Sequence, residues 1–383
     1  MNSKLKDSLF IFVVVVFFSI TACGNGQTLN NAEALKEYLD RQPANSPDKP
    51  IRVTMNANAP MMKNISEAIN SAGKYVSLNL SGNALTTIPD YAFYDTSTGK
   101  GCTTLTAITI PNSVTSIGYG AFGACTSLAS ITIPNSVTRI GNNAFASCTG
   151  LTSITIPNSV NNIESGTFYK CFGLSSVTLS DGVKSIEDGA FAGCIGLASI
   201  VIPSSVTSIG SSAFQECIGL VSITIPNSVI VIKQSTFKGC TSLTSVTIPN
   251  SINIIRPDAF RDCTSLTSIT IPDSVTIIDT WAFYGCTGLA SVTIPNSVTH
   301  IGSEVFSHCT SLASVTIKVT GTTTIGEYVF YGCTSLTSVR FEGVIASGNL
   351  NSRAFDGDLR EKYFAGGIGT YTRASGSDVW RKQ

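Results

Sequence analysis

Eleven cysteines recur along the 383-residue chain at an almost fixed interval, and that interval limits the fold more than any other feature. They are Cys102, Cys125, Cys148, Cys171, Cys194, Cys217, Cys240, Cys263, Cys286, Cys309 and Cys333, spaced by 23 residues until the last step of 24. A fixed period between 20 and 50 residues means a stack of repeats, and it overrides any domain count taken from length. In the unit spanning residues 128–148, Ile131 and Ile133 alternate with Ser130 and Thr132, the pattern of a short strand with one apolar face. Pro134 follows and stops the ladder, because it has no N–H to donate. Val137, Ile140, Ala144, Phe145 and Cys148 return at spacings of three and four, which predicts a helical or 3-10 turn on the back.

One such turn cannot fold alone. Its half-dozen large apolar side chains supply on the order of 10 kcal/mol. Fixing its backbone costs about 1–2 kcal/mol per residue. Stacking covers both open ends of each apolar layer, so stability grows with repeat number. The strands then lie parallel, one per turn. Twelve are legible between Val76 and Phe341, making a sheet roughly 50 Å long.

The unit Leu-x-x-Ile-x-Ile-Pro-x-Ser-Val-x-x-Ile-x-x-x-Ala-Phe-x-x-Cys resembles the leucine-rich repeats of the BspA-like, Treponema-type family. The match covers about residues 76–363. Ser180 and Lys318 replace the proline, and residues 318–322 carry a one-residue insertion. The resemblance implies a leucine-rich-repeat solenoid with one parallel sheet and short turns behind it. It also implies a surface antigen or adhesin of a host-associated bacterium.

The ends read differently. Lys4 and Lys6 precede an apolar run from Leu9 to Ile20 that is too short to span a bilayer and fits an export signal. Ile20-Thr21-Ala22-Cys23 resembles a bacterial lipobox, which implies cleavage after residue 22 and a lipidated Cys23. Two acyl chains there would hold the protein on a membrane, at the outer surface of a bacterium. Residues 23–75 form a linker and cap: a helix near Asn31 to Asp40, a strand at Ile51–Met55, and a second helix ending near Gly73. Residues 96–101 enlarge the first full repeat as a loop, 76–363 form the solenoid, and the Gly-, Ser- and Thr-containing tail 364–383 is expected to be loosely held.

Chemistry is sparse. Neighbouring thiols would lie within bonding range, but their Cβ vectors run parallel and their number is odd, so free buried thiols are expected. No CxxC pair offers a zinc chelate, and neither metal nor cofactor is expected. His300 and His308 read as surface residues, Gly366-Gly-Ile-Gly369 lacks the strand and helix of a phosphate loop, and acidic residues such as Glu164 and Asp279 are scattered. An enzyme with a small-molecule substrate is not indicated. Lys+Arg 24 against Asp+Glu 24 gives a net charge of zero, which argues against nucleic acid as a partner. Only 13% of residues are charged, against about 25% in an ordinary domain.

What remains is the outward face of the strands. Its candidate binding residues are Ser130, Thr132, Ser153, Thr155, Ser176, Thr178, Ser222, Thr224, Ser245, Thr247, Ser268, Thr270, Ser291 and Thr293. These columns fit a face that binds host extracellular-matrix or bacterial surface proteins. They equally fit solvating side chains that pair across rungs. The variable turns, with Tyr119, Tyr169, Arg261, Trp281 and Tyr284, are the competing location for specificity. A structural or antigenic coat without a dedicated ligand is the alternative function.

Overall fold

The computed structural model describes residues 28–319 and 321–383. The segment read as an export signal, and Cys23 with it, lie outside the described residues. Each rung contributes a front strand, such as Ser130–Thr132 or Ser153–Ile156, and these pair in parallel with their counterparts one repeat away. The register is direct: Ser153 lies beside Ser176, Ile154 beside Val177 and Thr155 beside Thr178. A one-residue slip would turn the isoleucines to solvent, so the alternation itself locks the register. Two front rungs, around residues 199–202 and 268–271, fall outside named strands, the first joined through the bridge Ser199–Ser222.

The back holds more than the expected helical or 3-10 turn. A second parallel ladder of two-residue strands runs behind the first, pairing Arg139–Ile140 with Ser116–Ile117 and Ile254–Ile255 with Ile277–Ile278. Tight turns follow, closed by bonds such as Ala144 N–H to the Gly141 carbonyl and Cys148 N–H to the Phe145 carbonyl. No helix grows because left-handed residues interrupt each turn, for example Asn143 (φ 55°) and Ser147 (φ 60°), then Ser212 and Glu216 three rungs later. Many of these positions are not glycine, so composition does not reveal them.

The core is a column stack. Phe122, Phe145, Phe168, Phe191 and Phe214 are fully buried, with neighbouring rings stacked at 5.3–5.6 Å between centroids. Beside them run the eleven cysteines, all buried and all free, as expected. From Cys125 onward each thiol has a job that the spacing did not disclose. Cys148 donates to the Phe122 carbonyl at 3.0 Å and Cys171 to the Phe145 carbonyl at 3.1 Å, and the pattern continues to Cys333. The thiols thus give these turn carbonyls a second donor, beside the backbone N–H that each already accepts from the cysteine of its own rung.

Both ends are closed. At the start, Ile51–Asn56 pairs in parallel with Val76–Ser81 through the helix Met62–Ala72, and Thr28–Leu29 adds a short outer strand. The helix Ala32–Asp40 is capped by Asn31, whose side chain accepts the Ala34 N–H. At the other end the tail is not loose. Gly369–Thr372 returns antiparallel against Ser338–Phe341, and Arg381–Lys382 adds a last strand. Tyr371 and Trp380 are buried there, with the Trp380 indole donating to the Asp356 carbonyl. Such a charged, short final strand blunts an edge that would otherwise recruit another chain.

Candidate binding surface

All fourteen candidate residues, from Ser130 and Thr132 to Ser291 and Thr293, are exposed on the front face. Their hydroxyls make no hydrogen bond to any group among the described residues. Pairing across rungs is therefore not what these residues do. The ladder geometry does not forbid such pairs, since the register partners Thr87 and Ser116 on the back meet at 2.8 Å between hydroxyl oxygens, but none forms between these front-face residues. Other Ser and Thr columns are engaged. Ser136, Ser205 and Ser251, from the Pro-x-Ser-Val/Ile segment, each donate to a valine carbonyl one rung back at 2.7 Å. Thr244, just ahead of its strand, donates to the Val221 carbonyl at 3.1 Å. The repeat therefore separates structural hydroxyls from free ones.

An apolar column borders this face. The residue after each cysteine is threonine at 103, 126, 149, 241, 264, 287, 310 and 334, but Phe172, Ile195 and Ile218 replace it in three consecutive rungs. Each of the three is about two-fifths exposed. They stack in register: a methyl group on Gly196 would lie 2.8 Å from the Phe172 carbonyl, and one on Gly219 would lie 2.5 Å from the Ile195 carbonyl. Val221, ahead of Ser222, and Val201, which interrupts the threonine column, are also exposed. Sequence reasoning missed this patch. Its signal was available as a threonine column broken three times in a row.

The variable turns form separate groups. Arg261 reaches Asp258 at 3.1 Å and lies over the rings of Trp281 and Tyr284, at 5.6 and 4.9 Å. His308 sits edge-on between Tyr284 and Tyr331, while His300, on another column, bonds Thr324 at 2.8 Å. The two histidines are not brought together. No cluster of three or more metal-ligating side chains occurs among the described residues. No helix among them is long and apolar enough to cross a membrane.

The family model for the BspA type leucine-rich repeat region matches residues 63–195, 161–286 and 253–359, six copies that span most of the chain. The chain belongs to this family. Among solved structures, this BspA-type protein is similar to a leucine-rich cell surface protein from Faecalibacterium prausnitzii. The two are 28% identical over 84% of this chain and 89% of the other, with a TM-score of 0.46. A leucine-rich repeat protein from Bacteroides ovatus is 25% identical over 83% of this chain and 92% of its own, also with a TM-score of 0.46. The pneumococcal vaccine antigen PcpA shares the fold, at 20% identity over 71% and 77% of the two chains and a TM-score of 0.50. No curated protein matches the BspA-type chain.

Proposed function

We propose that this BspA-type solenoid is a bacterial surface lipoprotein, held by Cys23, that binds host extracellular-matrix or bacterial surface proteins through its front face. One observation carries the reading: a flat field of free hydroxyls runs beside an exposed apolar column at Phe172, Ile195 and Ile218. Protein contacts draw their affinity from a few buried apolar anchors, with polar groups around them as a rim. The column supplies the anchors, and the Ser and Thr columns supply the rim. Rung after rung offers the same polar contacts, so a fibrous or multivalent partner gains avidity along the array.

Surface plasmon resonance against immobilised fibronectin and collagen tests the face. One variant changes Ser199, Ser222, Thr224, Ser245 and Thr247 to Lys, and a second changes Ile195 and Ile218 to Lys. Loss of binding in both supports the reading. Binding that survives both moves the interface to the turns. Absence of binding by the wild type favours a coat without a dedicated ligand, which the near-identity of successive rungs also fits. For the anchor, Cys23→Ala should release the protein from the membrane fraction and abolish incorporation of labelled palmitate.

A further inference from the structure

The first full repeat departs from all others, and the departure builds a cleft. Residues 94–101 form a small hairpin, Tyr94–Asp95 against Lys100–Gly101. Asp95 holds its tip by accepting from the Ser97 and Thr98 hydroxyls at 2.6 and 2.8 Å. Those hydrogen bonds lower the Asp95 carboxyl to about 2, so the tip keeps its charge and its shape at any ordinary pH. The hairpin walls one side of a cleft of about 510 Å³, inside the roughly 300–1,000 Å³ range of small-ligand sites.

Three tyrosines gather at this cleft. Tyr91 lies 5.9 Å from Tyr94 with their planes tilted by 32°, and Tyr119 meets Tyr91 edge-on at 5.2 Å. Tyr91 and Tyr119 stay 37% and 41% exposed, a large aromatic area for a surface built mainly of Ser, Thr and Asn. The rings rest on a floor cut to fit them. A methyl group on Gly120 would come within 3.1 Å of the Tyr91 ring, and one on Gly123 within 3.2 Å of the Tyr94 ring. The Asn143 amide donates to the Tyr119 hydroxyl at 3.1 Å and fixes that ring from the next rung.

The lining selects the ligand class. Tyr91, Tyr94, Thr96, Tyr119, Asn143 and Ser147 supply every side-chain polar group, the remaining lining residues are Gly and Ala, and none is charged. An ionic ligand would be desolvated there without a counter-charge in the lining, and the neighbouring Asp95 carboxylate is taken up by the Ser97 and Thr98 hydroxyls. The Thr96 and Ser147 hydroxyls have no partner among the described residues. Hydroxyl and amide groups both donate and accept, which matches a ligand that does both at many positions. Aromatic faces match the C–H faces of pyranose rings. We propose that this cleft binds a neutral oligosaccharide, by stacking on Tyr91 and Tyr94 and by hydrogen bonds to Thr96, Asn143 and Ser147. The site is separate from the front face and does not depend on it.

Isothermal titration of the wild type with trimers of β-linked N-acetylglucosamine, β-linked glucose and α-linked glucose tests this. At least one should bind with a Kd on the order of 1 mM or tighter. Tyr91→Ala should weaken it at least about tenfold. Ala146→Arg, which fills the cleft and leaves the rings in place, should do the same. Phe364→Ala, an exposed aromatic at the opposite end, should not. Circular dichroism melts of each variant separate lost binding from lost folding. If no trimer saturates, or if binding ignores both cleft variants, the proposal is wrong. A proline-rich decapeptide that binds the cleft in place of every sugar would equally overturn it.

Discussion

Raising the pH should unfold this protein abruptly, because the core is lined with eleven thiols that cannot ionise in place. Burial pushes all of them up from an ordinary 9.0, with Cys102, Cys194, Cys240 and Cys333 at about 12 and the other seven well above 9.0. Desolvation is the leading cause at every position, and for most of the column neighbouring thiols add to it. The sign follows from proton counting. Between pH 9 and 12 the unfolded chain has lost thiol protons that the folded chain keeps, so stability falls as pH rises. The contribution is intact below about pH 8 and is lost upward from there.

The magnitude is large because the column is long. At pH 10 each thiol favours the unfolded state by about 1.4 kcal/mol, and eleven together by about 15 kcal/mol. That equals the whole stability of a typical domain, about 5–15 kcal/mol. Far-ultraviolet circular dichroism should therefore show cooperative loss of sheet near about pH 10, reversible on return to neutral pH with reductant. A triple variant, Cys286→Ala, Cys309→Ala and Cys333→Ala, identifies the cause. In urea titrations above pH 10 its stability should fall less steeply, by about 4 kcal/mol per pH unit for a single cooperative unit. If the array unfolds in blocks, each slope counts only that block's thiols. A wild type that keeps its native spectrum at about pH 11, or an unchanged slope in the triple variant, would refute the reasoning.

Other consequences are simpler to read. Phe214→Ala, in mid-stack between rings at 5.5 and 5.7 Å, should cost about 3–5 kcal/mol in urea unfolding and split the transition as the two halves decouple. Ser205→Ala leaves the Val183 carbonyl without its side-chain donor and should cost about 1 kcal/mol by the same measurement. Gly219→Ala drives a methyl group to 2.5 Å from the Ile195 carbonyl, so hydrogen exchange should quicken at that rung more than at rungs far from it. Truncation after Gly366 removes the strand that covers Ser338–Phe341, and size-exclusion chromatography should show association that the full chain lacks.

How much of this was legible depended on whether a residue repeats. The period of the cysteines, the alternation at Ile131 and Ile133, and the Ala-Phe column gave the solenoid, the parallel register and the buried stack, because each is a local pattern enforced by burial. The βαβ start was legible for the same reason, through Ile51–Asn56, Met62–Ala72 and Val76–Ser81. The back ladder was not. Its strands are two residues long, and the turns after them depend on left-handed residues as varied as Asn143, Lys170, Glu216 and Trp281. The closing strand was hidden for another reason. Gly369–Thr372 is weakly apolar, and only a long-range return over Phe341 makes Tyr371 a core residue.

Function is most visible where the repeat fails. In a solenoid each rung meets nearly the same neighbours, so packing alone would favour the same residue at each position of a column. A column that changes several times in succession, at exposed positions, answers to something other than packing. Phe172, Ile195 and Ile218 cost solubility in place of threonine and bring no gain in the core, since each leaves about two-fifths of its surface in water. Tyr91, Tyr94 and Tyr119 crowd one end, above Gly120 and Gly123, which leave room for them. Threonine restored at 172, 195 and 218 should therefore leave the melting temperature within a few degrees of wild type and abolish matrix binding. A melting temperature lowered by about 10 °C or more would mark the three as structural and remove the argument for an interface there.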